Sequence, residues 1–188
     1  MRGHDERPRL VAGLSGRVVE IGAGAGATFP HYPPTVVSVV AVEPDQRRRV
    51  AAEQAARTAR VPIVVVDGVA ERLPLAAGAV DAAVASLVLC SVPDVAAALA
   101  ELRRVLRPAG ALRFLEHVLA ERGPLRILQR AAAPIYSRMP GGCHVDRDAV
   151  ASIARAGFAI EACDHFMRAD GAFEPAIPHV IGTARRSD

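Results

Sequence analysis

Short runs of Val and Ile alternate along this chain with longer Ala-rich stretches, and that alternation constrains the fold more than any other feature. Strands this apolar, separated by segments long enough for helices, call for a mainly parallel sheet covered by helices. Strands are expected at residues 17–21, 36–42, 62–66, 80–86, 111–116, 158–166 and 179–185. Asp45 is placed to cap a helix running to about Ala59. From Asp94, the apolar positions Val95, Ala98, Leu99, Leu102, Val105 and Leu106 recur at helical spacing until Pro108 and Gly110 intervene. Residues 146–156 read as a further helix. Leu125, Ile127, Leu128 and Ala131 to Ala133 suggest another, broken up by Pro134, Pro140 and Gly141-Gly142. The last two strands, joined by a loop with Asp170-Gly171 and no helix between them, are expected to pair antiparallel.

With 51% hydrophobic but only 4% aromatic residues, the core must be built of small aliphatic side chains, which suits helices on a sheet better than an aromatic-rich sandwich. At 188 residues, with neither an internal repeat nor a linker, a single domain over 1–188 is expected. All 23 Lys and Arg positions are Arg, and the net charge is a mild +3. Arg47, Arg48 and Arg49 make the densest cluster, but no aromatics interleave with it, so it reads as a solvated helix face and a nucleic-acid partner is disfavoured. Cys90, Cys143 and Cys163 are odd in number and lack Cys-x-x-Cys spacing, so no disulfide framework or metal site is indicated. No apolar stretch approaches the ~20 residues of a membrane span, and residues 1–9 are polar. A cytoplasmic protein is the expectation.

The densest signal is Val19-Glu20-Ile21-Gly22-Ala23-Gly24-Ala25-Gly26, expected where the first strand meets a first helix. Glycines there let the backbone turn sharply and approach a ligand at the sheet edge where such folds bind nucleotides. Glu43, followed by Pro44, closes the second strand, where a carboxylate can accept hydrogen bonds from both ribose hydroxyls. Gly22, Gly24 and Ala27 also satisfy the dinucleotide pattern, so the loop alone leaves a nicotinamide cofactor open. Three further features favour S-adenosylmethionine (SAM). Glu20 puts a carboxylate near the glycines, where it would repel a pyrophosphate but help hold a cationic amino-acid end. Asp67-Gly68-Val69-Ala70 follows the third strand, placed to meet adenine. Leu73-Pro74-Leu75, then Val80-Asp81 and Ser86-Leu87-Val88-Leu89, supply apolar residues, with Leu87 and Val88 after the fourth strand expected to line the cleft.

These passages, with Arg104 to Gly110, resemble the SAM-binding methyltransferases often labelled type 11, with Ala109-Gly110 where Gly-Gly is usual. Residues 29–34 (Phe-Pro-His-Tyr-Pro-Pro), Leu87 to Asp94, Glu116-His117-Val118 and Gly141-Gly142-Cys143-His144 are similar to the methyltransferase-like thiol S-methyltransferase family. The resemblance spans about residues 18–158. It implies a Rossmann-like class I methyltransferase fold: seven strands, mostly parallel, the last inserted antiparallel, with helices on both faces. It implies SAM as cofactor and a small alkyl thiol or hydrogen sulfide as acceptor. Membrane-associated members carry an apolar N-terminal helix that is absent from this sequence, so membrane association is not part of the expectation.

On the substrate side, His117 after the fifth strand and His144 after the Gly-Gly turn are the candidate catalytic residues, each able to accept a proton or orient a nucleophile. Each also fits a structural role. Cys90 reads as a small buried hydrophobe, and Cys143 has no role that spacing supports. Leu125 to Tyr136, with Met139, supplies apolar surface suited to a small or lipophilic acceptor, or an ordinary core-facing helix. Little chain precedes the first strand, so the site is expected to be open or completed by a partner subunit of a homodimer. The remaining readings are a C-, O- or N-methyltransferase of quinone, lipid or natural-product metabolism, an NAD(P)-dependent oxidoreductase, and a non-catalytic SAM-binding protein.

Overall fold

The apolar runs form the strands of one seven-stranded sheet in a computed structural model that describes residues 5–120, 122–136, 142–144, 147–169 and 176–187. The strands are β1 (Gly16–Ile21), β2 (Val36–Val42), β3 (Ile63–Val66), β4 (Val80–Ser86), β5 (Leu106–His117), β6 (Phe158–Arg168) and β7 (Ile177–Arg186). Their spatial order is β3-β2-β1-β4-β5-β7-β6. Neighbours among the first five pair parallel, while β7 lies antiparallel between β5 and β6. The expected inverted last strand is therefore present. The Asp170-Gly171 loop lies outside the described residues.

Side chains alternate between two apolar clusters, one on each face of the sheet. Val19, Ile21, Ala83 and Ala85 pack with Ala98, Leu99 and Leu102 of α3 (Val95–Val105) and Ile153 of α5 (Ala149–Arg155). Val18, Val39, Ala82 and Val84 face the other way, against Leu10 and Val11 of α1 (Arg7–Val11) and Ala52 of α2 (Gln46–Ala56). Burial on both faces explains why the central strands read as nearly unbroken apolar runs. Three of the helices start on aspartates: Asp45, Asp94 and Asp148 accept hydrogen bonds from the first-turn amides of α2, α3 and α5.

Several local expectations change. No α-helix joins β1 to β2: the glycine loop leads into a 3-10 turn at Phe29–His31. Three glycines, Pro30, Pro33 and Pro34 leave too few donors and helical dihedrals for a longer helix. Short α1, with Pro8 in its first turn, precedes β1 and buries Leu10 and Val11, an element that the expected strands and helices do not include. The fifth strand begins at Leu106, straight off α3, because Val80 pairs Leu106 and Ala82 pairs Ala111, so Arg107 to Gly110 bulge out. Finally, α4 (Pro124–Tyr136) continues through Pro134 instead of stopping there.

Candidate active site

The C-terminal ends of β1, β2 and β4 surround a cleft of about 600 Å³, within the range of small-molecule sites. Gly22, Glu43, Pro44, Val69, Ala70, Leu87 and Val88 line it, all expected there from sequence. The three loop glycines are needed for different reasons. Each has positive φ, near 57° at Gly22, 58° at Gly24 and 81° at Gly26. A Cβ on Gly22 would come within 2.5 Å of Val88, and one on Gly26 within 2.7 Å of the Phe29 ring, so these two are packing positions. A Cβ on Gly24 would meet nothing within 4 Å. There the glycine leaves room.

Glu43 organises this end of the sheet. Buried at the tip of β2, its Oε2 accepts from the Gly24 N–H at 2.8 Å and its Oε1 from the Asp45 N–H at 3.0 Å. Each carboxylate oxygen retains a second lone pair for a ligand hydroxyl. Ala23 is buried, its N–H donating to the Val42 carbonyl. Asp67 Oδ1 accepts from Arg49 Nη1 at 2.7 Å while the rest of the side chain stays exposed, and the same nitrogen donates to the carbonyls of Glu43 and Pro44. Gly68 packs beside Val42, where a Cβ would come to 3.0 Å. The arginine cluster is thus more than a solvated face, since Arg49 braces the cleft and Arg48 lines it. Leu73 to Leu75 are tied to α3 through Arg104 and Glu101 and stand outside the cleft lining.

Glu20 lies beneath the glycine loop, buried, accepting from the Tyr32 hydroxyl at 2.7 Å. Burial pushes its pKa up to about 7, opposed by the hydrogen bonds from Tyr32 and Thr28. It is absent from the cleft lining among the described residues.

The loop after β4 shapes the opposite wall. Leu87 sits at φ 58°, and its N–H donates to the Leu115 carbonyl. Glu116, wholly buried on β5, accepts from the Val88, Leu89 and Cys90 amides at 3.0–3.1 Å. Its burial, then the nearby Cys90, raise its pKa well above the usual carboxylate range. Arg147 clamps the same loop by donating to the carbonyls of Leu89, Val92 and Pro93. Sequence reasoning put neither Glu116 nor Arg147 among the site residues, because their partners are backbone groups far along the chain. His117 Nδ1 lies 3.1 Å from Cys143 Sγ and 3.6 Å from Cys90 Sγ. The His144 N–H donates to the Cys90 carbonyl at 2.7 Å. On α4, Ile127 and Leu128 are exposed, which discounts the core-facing reading for them; Met139 and Gly141 lie outside the described residues.

The cleft fits SAM better than a dinucleotide. A pyrophosphate is usually held on a helix N-terminus after the glycine loop, and β1 is followed by no such helix. Glu43 and Glu71 against Arg48 give the lining more negative than positive side chains, which suits a ligand with a sulfonium and an ammonium. Fold and cleft together define a SAM-dependent methyltransferase. A methyltransferase-domain family model matches residues 19–114, and the chain belongs to that family. Thiol S-methyltransferase TMT1A of Homo sapiens is 32% identical over 182 residues, 92% of this chain and 72% of the relative. A SAM-dependent methyltransferase structure from Methanosarcina mazei aligns with TM-score 0.75 at 19% identity, covering 91% of this chain and 92% of its own. The [4+2]-cyclase SpnF aligns with TM-score 0.71 at 21% identity, covering 96% of this chain and 79% of its own, so the fold alone does not name the reaction. Among the described residues, no helix is long and apolar enough to cross a membrane.

Proposed function

We propose that this chain transfers a methyl group from SAM to a small-molecule thiol. The observation that carries the thiol is the reach of the likeness to TMT1A. It covers 92% of the chain, well beyond residues 19–114 that make up the shared cofactor half, and so takes in substrate-side segments. When bound, SAM supplies an electrophilic methyl on a sulfonium. Glu43 accepts from the ribose hydroxyls, Gly24 leaves space for the amino-acid end, and Val69, Ala70, Leu87 and Val88 enclose the adenine. Pro44 and Gly22 complete the lining, Ala23, Gly26 and Gly68 shape it from behind, and Asp67 offers its exposed carboxylate to the adenine. Glu20 supports the loop and places a carboxylate near the cationic end.

In-line displacement needs alignment above all. A thiol with pKa near 8.5 is already partly ionised at neutral pH and asks little of a base. His117 holds Nδ1 against two thiols, so the proton-accepting role falls to His144, two residues from Gly142 in the cleft lining. Cys90, Cys143 and Cys163 form no disulfide, which suits a reducing compartment such as the cytoplasm.

Purified protein incubated with methyl-labelled SAM and matched thiol, phenol and amine acceptors tests this. Mass spectrometry is expected to find the label on sulfur, and His144→Asn to lower kcat while leaving SAM binding unchanged. Label on oxygen, nitrogen or carbon would remove the thiol, and tight SAM binding with no labelled product would mark a binding protein.

A further inference from the structure

Three metal-ligating side chains meet where sequence spacing gave no hint of it. Cys90 comes from the loop after β4, His117 from the end of β5, and Cys143 from the segment after α4. Their donor atoms lie within 4.8 Å of one another, with His117 Nδ1 at 3.1 and 3.6 Å from the two sulfurs. Tetrahedral zinc, with Zn–S about 2.3 Å and Zn–N about 2.0 Å, holds such donors roughly 3.5–3.8 Å apart. Only small side-chain movements separate the observed cluster from that arrangement.

The scaffold holds all three. Glu116 fixes the Cys90 amide, and the His144 N–H to Cys90 carbonyl bond joins the Cys90 loop to the segment bearing Cys143. The His179 ring meets His117 edge-on at 4.4 Å from the neighbouring strand. Locked supporting groups are what a tight metal site requires.

We propose that Cys90, His117 and Cys143 bind a thiophilic d10 cation, Zn²⁺, through two thiolates and one imidazole nitrogen. Cation entry displaces the two thiol protons to solvent. His117 and Cys143 are only partly buried, which leaves a fourth position within reach of a water or a small thiol. The metal site does not depend on the thiol being the acceptor. Cys163, paired with His165 at 3.7 Å on β6, provides an internal control.

The test uses untagged, chelator-treated protein kept reduced with a phosphine, titrated with Co²⁺ and then displaced with Zn²⁺. Expected are thiolate-to-cobalt charge-transfer bands, about one zinc per chain by elemental analysis, and unchanged binding in Cys163→Ala. Cys143→Ser and His117→Asn should each weaken zinc by more than the ~10–100-fold that loss of an outer-shell group costs. Circular dichroism establishes that each variant is folded, and if either is not, the wild-type titration alone decides. Absence of the charge-transfer bands, or zinc binding unchanged in both folded variants, would overturn the proposal.

Discussion

Glu20→Gln isolates the energetic consequence of a carboxylate sealed beneath the glycine loop. Glu20 is wholly buried, and its pKa rises from 4.5 to about 7, with desolvation the leading cause. At about 1.4 kcal/mol per pH unit, the ionised form is disfavoured by about 3 kcal/mol in the folded chain relative to the unfolded one. The folded state keeps a proton that the unfolded state gives up between these two values. Stability from this group is therefore fully present below pH 4.5, declines as pH rises, and is lost once pH passes about 7. Glutamine stays neutral throughout and can still accept from Tyr32. Urea unfolding of wild type and variant from pH 4.5 to 8 reads the difference directly, since every other titrating group is common to both. Wild type is expected to lose about 3 kcal/mol relative to the variant across that range. A difference that stays constant with pH would refute the buried-carboxylate account.

Other consequences are equally checkable. Gly24→Ala should cost about 1–2 kcal/mol of stability from positive φ alone yet weaken SAM binding at least ~10-fold, because the new methyl enters open space beside the Glu43 carboxylate that the Gly24 N–H holds. Gly26→Ala, driven against Phe29 and Ala55, should lose more stability, and the reverse order in thermal melts would contradict these roles. Glu116→Ala leaves three buried loop amides without their acceptor and should cost at least about 3 kcal/mol in urea unfolding, whereas a loss under 1 would show the loop holds itself. If Glu20 responds to the cationic end of SAM, binding near pH 7 should release a proton. Calorimetry in buffers of different ionisation heat should detect that release in wild type and not in Glu20→Gln.

The strands were legible because burial on both faces leaves nearly unbroken Val and Ala runs such as 36–42 and 80–86, and little else produces them. Helix starts at Asp45, Asp94 and Asp148 follow from capping chemistry; Asp148 replaces the expected start at residue 146, which lies outside the described residues. The connection from β1 to β2 misled because a glycine loop usually opens a helix, and the prolines at 30, 33 and 34 deserved more weight. Pro134 misled in the opposite direction, since α4 absorbs it near its end. Glu43 was legible as an acid at a strand tip. Its bond to Gly24 was not, for that depends on how two loops meet in space. Glu116, Arg147 and the Cys90–His117–Cys143 cluster share this character: their partners are brought together by the sheet and carry no spacing in sequence.

The most direct test of the central claim is calorimetric titration of wild type and Glu43→Ala with SAM and S-adenosylhomocysteine, with NAD and NADP beside them. The cleft geometry predicts micromolar binding of the SAM pair, at least ~10-fold weaker in the variant, and no heat from the nicotinamides. Binding of NAD or NADP without SAM would contradict it, and with it the reading of the cleft.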